Sequence, residues 1–214
     1  MTTLTDALAH PRSSVRLQAV MAAGTTPDPA DLDVLVERCA VEPDFFVRDM
    51  LTWALTRHPA PQVVARVLPE LEQPEPQARS QALHTLSKVG DPAAWPAVQP
   101  LLADHDDEVL RAAWRTAVAL VPDDERDALA RTLAVQLGIG ARERRLSLSR
   151  ALVGLGEETV APVLATAAER GSDAVREHVA DTERLLHDPD AASSHALERA
   201  RREVALGRTR SAKG

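Results

Sequence analysis

The chain has 214 residues and a formal net charge of −7, with 44% hydrophobic residues but only three Trp, two Phe and no Tyr. A core this poor in aromatic residues must be built from Ala, Leu and Val, which favours packed helices over a β-sandwich. The acidic balance argues against non-specific nucleic-acid binding, which depends on neutralising phosphates. The single cysteine, Cys39, excludes an internal disulfide. With neither a signal-peptide pattern nor an apolar run of membrane-spanning length, we expect a cytoplasmic protein without a membrane partner.

Prolines, glycines and acidic capping residues divide the chain into short helices joined by turns. The turns are roughly two to six residues long, as connections between packed helices usually are. In chain order, the predicted helices span 3–9, 13–23, 30–40, from Phe45 onward, 60–71, 77–89, 92–103, 107–121, 123–137, 141–153, 157–169, 173–187 and 191–206.

An arginine recurs near the start of the second helix of each predicted pair, with an apolar residue close on either side. These repeat arginines are Arg16, Arg48, Arg79, Arg111, Arg145 and Arg176, at spacings of 32, 31, 32, 34 and 31 residues. A steady period of this length indicates stacked helix pairs, since one pair cannot bury both of its faces alone. We therefore predict an all-α fold, a right-handed α-solenoid (superhelix) of about six helix–turn–helix repeats over residues 1–189.

The clearest repeats read PEPQARSQALHTL (74–86) and DHDDEVLRAAW (104–114), and they follow LPELEQ (68–73) and QPLLAD (99–104). The pattern Pro/Asp-x-x-x-(Val/Ala/Leu)-Arg-x-x-Ala resembles HEAT repeats, and more narrowly the short HEAT-like repeats also found in bilin-lyase-type proteins. The resemblance covers residues 1–187 and is weaker in the last two units, where Gly140 and Gly171 take the proline position. It implies that the second helices line the concave side of the stack.

The repeat arginines are expected to be structural, because a guanidinium suits a shared, partly buried carboxylate. Each should bind the acid four residues before it or an acid of a neighbouring repeat. Asp44, Glu75 and Asp107 occupy that earlier position. A phosphate-binding ladder of arginines is the alternative.

Counted from its arginine, each second helix should bury positions −1, +3 and +7, so that +1 and +5 point into the concave groove. Position +5 holds Met21, Trp53, His84, Thr116, Arg150 and Asp181. The predicted partner-binding residues are Leu17, Met21, Met50, Trp53, His84 and Arg150. We expect Trp53 to anchor an apolar segment of a protein partner together with Leu17 and Met21. The alternative is that Trp53 packs against neighbouring helices.

Two further aromatic residues, Phe45 and Phe46, open the second arginine-bearing helix. One of them should pack against the turn as a hydrophobic staple, and the other should be exposed.

No sequence motif indicates catalysis, a cofactor or a metal: HExxH, GxSxG, GxGxxG and phosphate-binding loops are all missing. We therefore predict a non-enzymatic, monomeric interaction scaffold that binds a protein or peptide segment and uses no cofactor. HEAT-like stacks also occur as alkylpurine DNA glycosylases and bilin lyases, so an enzyme or nucleic-acid-binding protein is the alternative. A glycosylase groove would need aromatic and basic residues together, whereas Trp53 is far in sequence from Arg142, Arg144, Arg145 and Arg150.

The last segment, 190–214, has six basic and three acidic residues, which leaves a net charge of −10 on residues 1–189. It is predicted to form a capping helix, with an apolar face that includes Leu197 and Val204, followed by a basic flexible tail. A docking arm for an acidic partner or nucleic acid, using the basic residues of Arg199–Lys213, is the alternative.

Overall fold

The computed structural model describes residues 3–188, which form α-helices and short 3-10 segments and, within that range, no β-strand. The all-α prediction is confirmed. The capping helix and basic tail predicted for 190–214 lie outside the described residues. Among the helices of 3–188, none is both long enough and apolar enough to cross a membrane.

The described helices follow one another in pairs. The first helices of the pairs are α1 (Leu4–Leu8), α3 (Leu32–Val41), α5 (Ala60–Val67), α7 (Trp95–Val98), α9 (Arg126–Ala134) and α11 (Glu157–Arg170). The second helices are α2 (Ser13–Thr25), α4 (Phe45–Leu55), α6 (Pro76–Val89), α8 (Asp107–Leu120), α10 (Arg142–Gly154) and α12 (Asp173–His187). We call this second set the arginine helices, because each one carries a repeat arginine.

Prolines break the first helix of the fourth pair, which the sequence pattern predicts as one helix over 92–103. The structure has a 3-10 turn at Pro92–Ala94, the single α-helical turn α7, and a second 3-10 segment at Gln99–Ala103. Pro96 and Pro100 cause this difference, since proline lacks an N–H and clashes with the carbonyl four residues before it.

Helix contacts divide the chain into two compact units, Met1–Leu129 and Ala130–Gly214, and α9 crosses the boundary. In the first unit, α2, α4, α6 and α8 pack side by side as one layer. The helices α1, α3, α5 and α7, with the 3-10 segments that follow α5 and α7, pack against that layer. In the second unit, α10, α11 and α12 pack on one another. Within each unit, neighbouring helix pairs therefore bury their faces on one another, which is the principle of an α-solenoid.

Most of the apolar seam predicted on the arginine helices is buried. In α4, Val47, Leu51 and Leu55 are each at most 1% exposed. In α8, Trp114 is fully buried, and its indole Nε1 donates a hydrogen bond of 3.1 Å to the carbonyl oxygen of Leu102. The buried Trp thus has its polar atom satisfied, as a large core side chain requires.

Five of the six repeat arginines bind the loop that joins the two helices of their own pair. Arg48 Nη1 donates to the carbonyl oxygens of Glu42 and Pro43, at 2.9 and 3.0 Å. Arg16 and Arg79 donate to the same two loop positions of their own pairs, six and five residues before them. In the second unit, Arg145 and Arg176 bind the carbonyl oxygens of Gly140 and Gly171. Each of these five loops is thereby fastened to the helix that follows it. The sixth arginine, Arg111, instead donates to the carbonyl oxygen of Asp107 in its own helix, at 3.1 Å.

This pattern corrects the predicted partners of the arginines. Asp44, four residues before Arg48, accepts from the backbone N–H groups of Phe46 and Val47 and caps α4. The other predicted partner, an acid of a neighbouring repeat, is found at three places. Arg16 pairs with Glu42 and Arg79 lies 3.3 Å from Asp104. Arg145 lies 3.8 Å from Glu177.

Glu42 is the most heavily bonded of these acids, and its side chain is fully buried. Its two carboxylate oxygens accept from Arg16 at 2.6 and 2.8 Å, from Arg38 Nε at 2.8 Å and from the Asp44 N–H at 2.9 Å. Burial alone would raise the pKa of Glu42, but the hydrogen bonds from Arg16, Asp44 and Arg38 lower it below its ordinary value. Glu42 therefore joins the first two repeats as a carboxylate.

We expect Glu42→Gln to lower the free energy of unfolding by about 3–5 kcal/mol, because it leaves Arg16 and Arg38 as uncompensated charges. Urea unfolding at neutral pH measures this loss. Glu72→Gln removes an exposed carboxylate of the same unit and should change the value by less than about 0.5 kcal/mol. A loss below about 1 kcal/mol for Glu42→Gln would show that the buried pair contributes little.

In the second unit, His178 is buried and hydrogen-bonded through both ring nitrogens. Its Nδ1 accepts from the Gly138 N–H at 3.0 Å, which leaves Nε2 to donate to the carbonyl oxygen of Arg145 at 2.9 Å. Ser149 Oγ lies 3.1 Å from the same Nε2. Burial lowers the pKa of His178, so the imidazole is neutral in the folded chain near pH 7.

Because the folded pKa of His178 lies below the unfolded value of about 6.5, its contribution to stability is fully present above about pH 6.5. The contribution is lost as the pH falls from there through the folded pKa. We expect acidification from pH 7.5 to 5 to destabilise the wild type more than His178→Asn, which keeps an acceptor for Gly138. Urea unfolding at the two pH values measures the difference. Equal losses in both proteins would contradict the assignment.

Candidate functional site

The outward-facing positions of the arginine helices are aligned by the N-cap residue rather than by the arginine. The N-cap lies four residues before Arg48 and Arg79, but five residues before Arg111, because Asp106 caps α8. One extra residue turns a helix by about 100°, so positions counted from Arg111 point in a different direction from those counted from Arg48 or Arg79.

The predicted groove position +1 is not exposed in the third and fourth repeats, where Ser80 and Ala112 are both buried.

This shift corrects the predicted groove residue of the fourth repeat. Thr116 is fully buried, and its Oγ1 donates to the carbonyl oxygen of Leu83 at 2.8 Å. Arg115 takes the outward position instead, nine residues after the N-cap. The same count from the caps of α2, α4 and α6 selects Met21, Trp53 and His84. We call Met21, Trp53, His84 and Arg115 the exposed row.

The exposed row crosses the layer of arginine helices in the first unit, one residue from each helix. Met21 is 47% exposed and Trp53 37% exposed, while the His84 side chain is 28% exposed and Arg115 lies at the surface. Since α2, α4, α6 and α8 pack in that order, the row runs from two apolar residues to a histidine and then an arginine.

A second line of apolar residues runs along α4 and meets the exposed row at Trp53. Phe46, Met50 and Trp53 are spaced by four and three residues, which places them on one side of the helix. We call these three residues the α4 stripe. Phe46 is 72% exposed and Met50 half-buried.

The expected hydrophobic staple at the start of α4 is wrong, because both phenylalanines are exposed. Phe45 is 65% exposed, and its ring meets that of Phe46 edge-on with centroids 5.7 Å apart. The Arg48 guanidinium lies 5.9 Å from the centroid of Phe45. Sequence reasoning missed Phe46 as a site residue, although its spacing from Met50 and Trp53 was a signal that could have found it.

Trp53 is both exposed and packed against the neighbouring arginine helix. Its six-membered ring covers Gly24 of α2, where an added Cβ would come within 2.8 Å of ring atom Cε3 and closer still to Cζ3. Glycine at this helical position therefore makes room for the indole. One side of the ring is held by α2, and the remaining surface is available to solvent.

His84 has both an acid and cations nearby. Its Nε2 lies 3.8 Å from Asp49 of α4. Burial is the main cause that lowers the pKa of His84, and the charges of Lys88 and Arg115 add to it against the opposing effect of Asp49. Burial, followed by the charge of Arg111, also lowers the pKa of Arg115. Three cations of α6 and α8 therefore lie near this end of the exposed row.

The structure brings together five of the six predicted partner-binding residues within the first unit. Leu17 and Met21 lie on α2, Met50 and Trp53 on α4, and His84 on α6, with Leu17 and Met50 half-buried. The sixth, Arg150, is exposed on α10 of the second unit.

No group of three or more His, Cys, Asp or Glu side chains within residues 3–188 could hold a metal ion. Cys39 is buried in α3, and burial raises the pKa of its thiol to about 12. The reactive thiolate is therefore scarce near neutral pH.

The contact between Trp53 and Gly24 predicts that Gly24→Ala changes the free energy of unfolding in opposite directions with and without the indole. Gly→Ala inside a helix normally stabilises by about 1 kcal/mol, but in the wild type we expect Gly24→Ala to destabilise by about 1–3 kcal/mol because the methyl group displaces the indole. In a Trp53→Ala background the same change should stabilise the protein. Urea unfolding of the two single variants and the double variant measures this coupling, and additive effects would contradict the contact.

Comparisons with known proteins give a family and several similar solved structures. No curated protein sequence matches the chain. The chain is similar to an engineered protein whose crystal structure comes from the Northeast Structural Genomics Consortium, with 17% identity and a TM-score of 0.47 over 86% of this chain and 94% of that one. A family model for HEAT repeats matches residues 1–56, 43–119 and 64–138. These matches cover more than half of the chain, which therefore belongs to the HEAT-repeat family.

Proposed function

We propose that this chain is a non-enzymatic interaction scaffold that binds a segment of a protein partner on the α4 stripe and the adjoining part of the exposed row. HEAT repeats generally serve as protein-interaction scaffolds, which supports the class of function. The observation that carries the site is the line of Phe46, Met50 and Trp53, with Phe46 72% exposed and Trp53 37% exposed.

Exposed aromatic residues in one line are unusual on a soluble surface and common at the centre of interfaces. Trp is among the residue types that contribute most to interface affinity, and an apolar patch excludes water well once a partner covers it. Met50 adds an adaptable thioether between the two rings. A partner that buries this line gains apolar contact area without having to break an existing interaction of the scaffold.

The site is also rigid, which favours affinity. All three residues of the α4 stripe lie on one helix, and the Trp53 ring is already held over Gly24. Side chains that are ordered before binding lose less conformational entropy when the partner arrives. Met21 and Leu17 of α2 extend the apolar surface past Trp53.

The double variant Phe46→Ser/Trp53→Ala tests this proposal. We expect the wild type, used as bait in an extract of the source organism, to retain a protein that the double variant does not retain. The retained protein is then purified, and its affinity for both forms is measured by isothermal titration calorimetry. Loss of two aromatic contacts should weaken binding at least about a hundredfold.

Val135→Ala is the matched control, because Val135 is an exposed apolar residue of the second unit, 73% accessible. It should bind as the wild type does. Circular dichroism of each variant establishes that it is folded. Equal affinity of the wild type and the folded double variant for the purified protein would refute the α4 stripe as the binding site.

A further inference from the structure

The exposed row changes chemical character across the first unit. Its first two members, Met21 and Trp53, are apolar, and its last member, Arg115, is cationic. His84 stands between them, and Lys88 lies one turn further along the same helix, α6. A ligand that crosses from α4 to α8 therefore leaves an apolar surface and enters a basic one.

The basic end is an exception in an acidic chain, whose net charge is −7. Lys88, Arg111 and Arg115 are the cations there, and Asp49 and Glu108 are the acids that act on His84 and Arg115. Lys88 and Arg115 are both exposed, and neither forms an ion pair with an acid of residues 3–188. The carboxylates of a bound peptide can therefore pair with these two cations without displacing an existing ion pair.

We propose, on the basis of the function proposed above, that the partner segment is an acidic peptide with an apolar anchor. The anchor packs on Trp53 and Met21, and Asp or Glu side chains pair with Arg115 and Lys88. The bidentate geometry of a guanidinium suits a carboxylate at this end.

The geometry also sets the spacing between anchor and acid. Packed helices lie about 8–10 Å apart, so Trp53 on α4 and Arg115 on α8 are separated by about two such steps, or roughly 20 Å. An extended peptide covers about 3.3 Å per residue, which puts the carboxylate about five or six residues from the anchor.

Selection from a phage-displayed library of random 12-residue peptides tests the inference, with the full chain as bait. We expect the enriched peptides to combine an aromatic or long aliphatic residue with Asp or Glu about five or six positions away. For a synthetic copy of an enriched peptide, Arg115→Glu should raise Kd at least about tenfold, Arg115→Gln should raise it less, and Trp53→Ala should also raise it at least about tenfold. Higher salt should weaken binding of the wild type more than that of Arg115→Gln.

Two matched controls separate the local effect from a general one. Arg131→Glu makes the same charge change at an exposed site of the second unit, and Val135→Ala removes exposed apolar surface there. Both should leave Kd within about twofold of the wild-type value, since neither residue belongs to the first unit, which carries the row.

The outcomes distinguish failure of this inference from failure of the proposed function. Enriched peptides that depend on Trp53 but lack acidic residues, or that bind Arg115→Glu as tightly as the wild type, overturn the acidic partner and leave the scaffold proposal standing. No enrichment, or enrichment that survives Trp53→Ala, overturns both. A fluorescent DNA duplex that binds more tightly than any enriched peptide, and loses binding in Arg115→Glu, would assign the basic end to nucleic acid and overturn the inference.

Discussion

The fold depends on the way an arginine of most second helices holds the loop in front of that helix. In Arg16, Arg48 and Arg79 one guanidinium nitrogen, Nη1, donates to two consecutive loop carbonyl oxygens rather than to an acid. Backbone carbonyl groups need hydrogen-bond donors, and a loop lacks the regular N–H partners that a helix provides. Because Arg16 and Arg79 also pair with an acid from the next loop, the same side chains fasten one repeat to the next.

Once the loops are held, the N-cap decides which side of each arginine helix faces solvent. Asp44 and Asp106 accept backbone N–H groups of the first turn and so set where α4 and α8 begin. From that point the helical period assigns every later residue to the core or to the surface. The exposed row follows from this starting point, and it explains why Arg115 rather than its neighbour Thr116 reaches the surface. In a repeat protein the units share their core positions and differ at the surface, so the row is where binding specificity can reside.

Much of the architecture could be predicted because it depends on local patterns. The sequence alone shows the period of the repeat arginines, the apolar seam of α4 and the turn residues between helices. The proline-broken α7 shows the limit of that approach, since a helical periodicity continued across Pro96 and Pro100 although the backbone could not. For the candidate site, counting from the arginine identified Trp53, Met21 and His84 as outward-facing, but it missed Phe46 and selected Thr116 in place of Arg115.

The sequence by itself determined the all-α repeat and the residue types that each helix offers, because propensity, capping and period act within about one helix. Only the tertiary structure decided the contacts between repeats. Glu42 pairs with Arg16, 26 residues before it, and Gly24 lies under the Trp53 ring, because packing brings these chain segments together. His178 was buried for the same reason, by a loop 40 residues before it in the chain. Contacts of this kind depend on the rotation of neighbouring helices, and a shift of a single residue is enough to exchange a buried position for an exposed one.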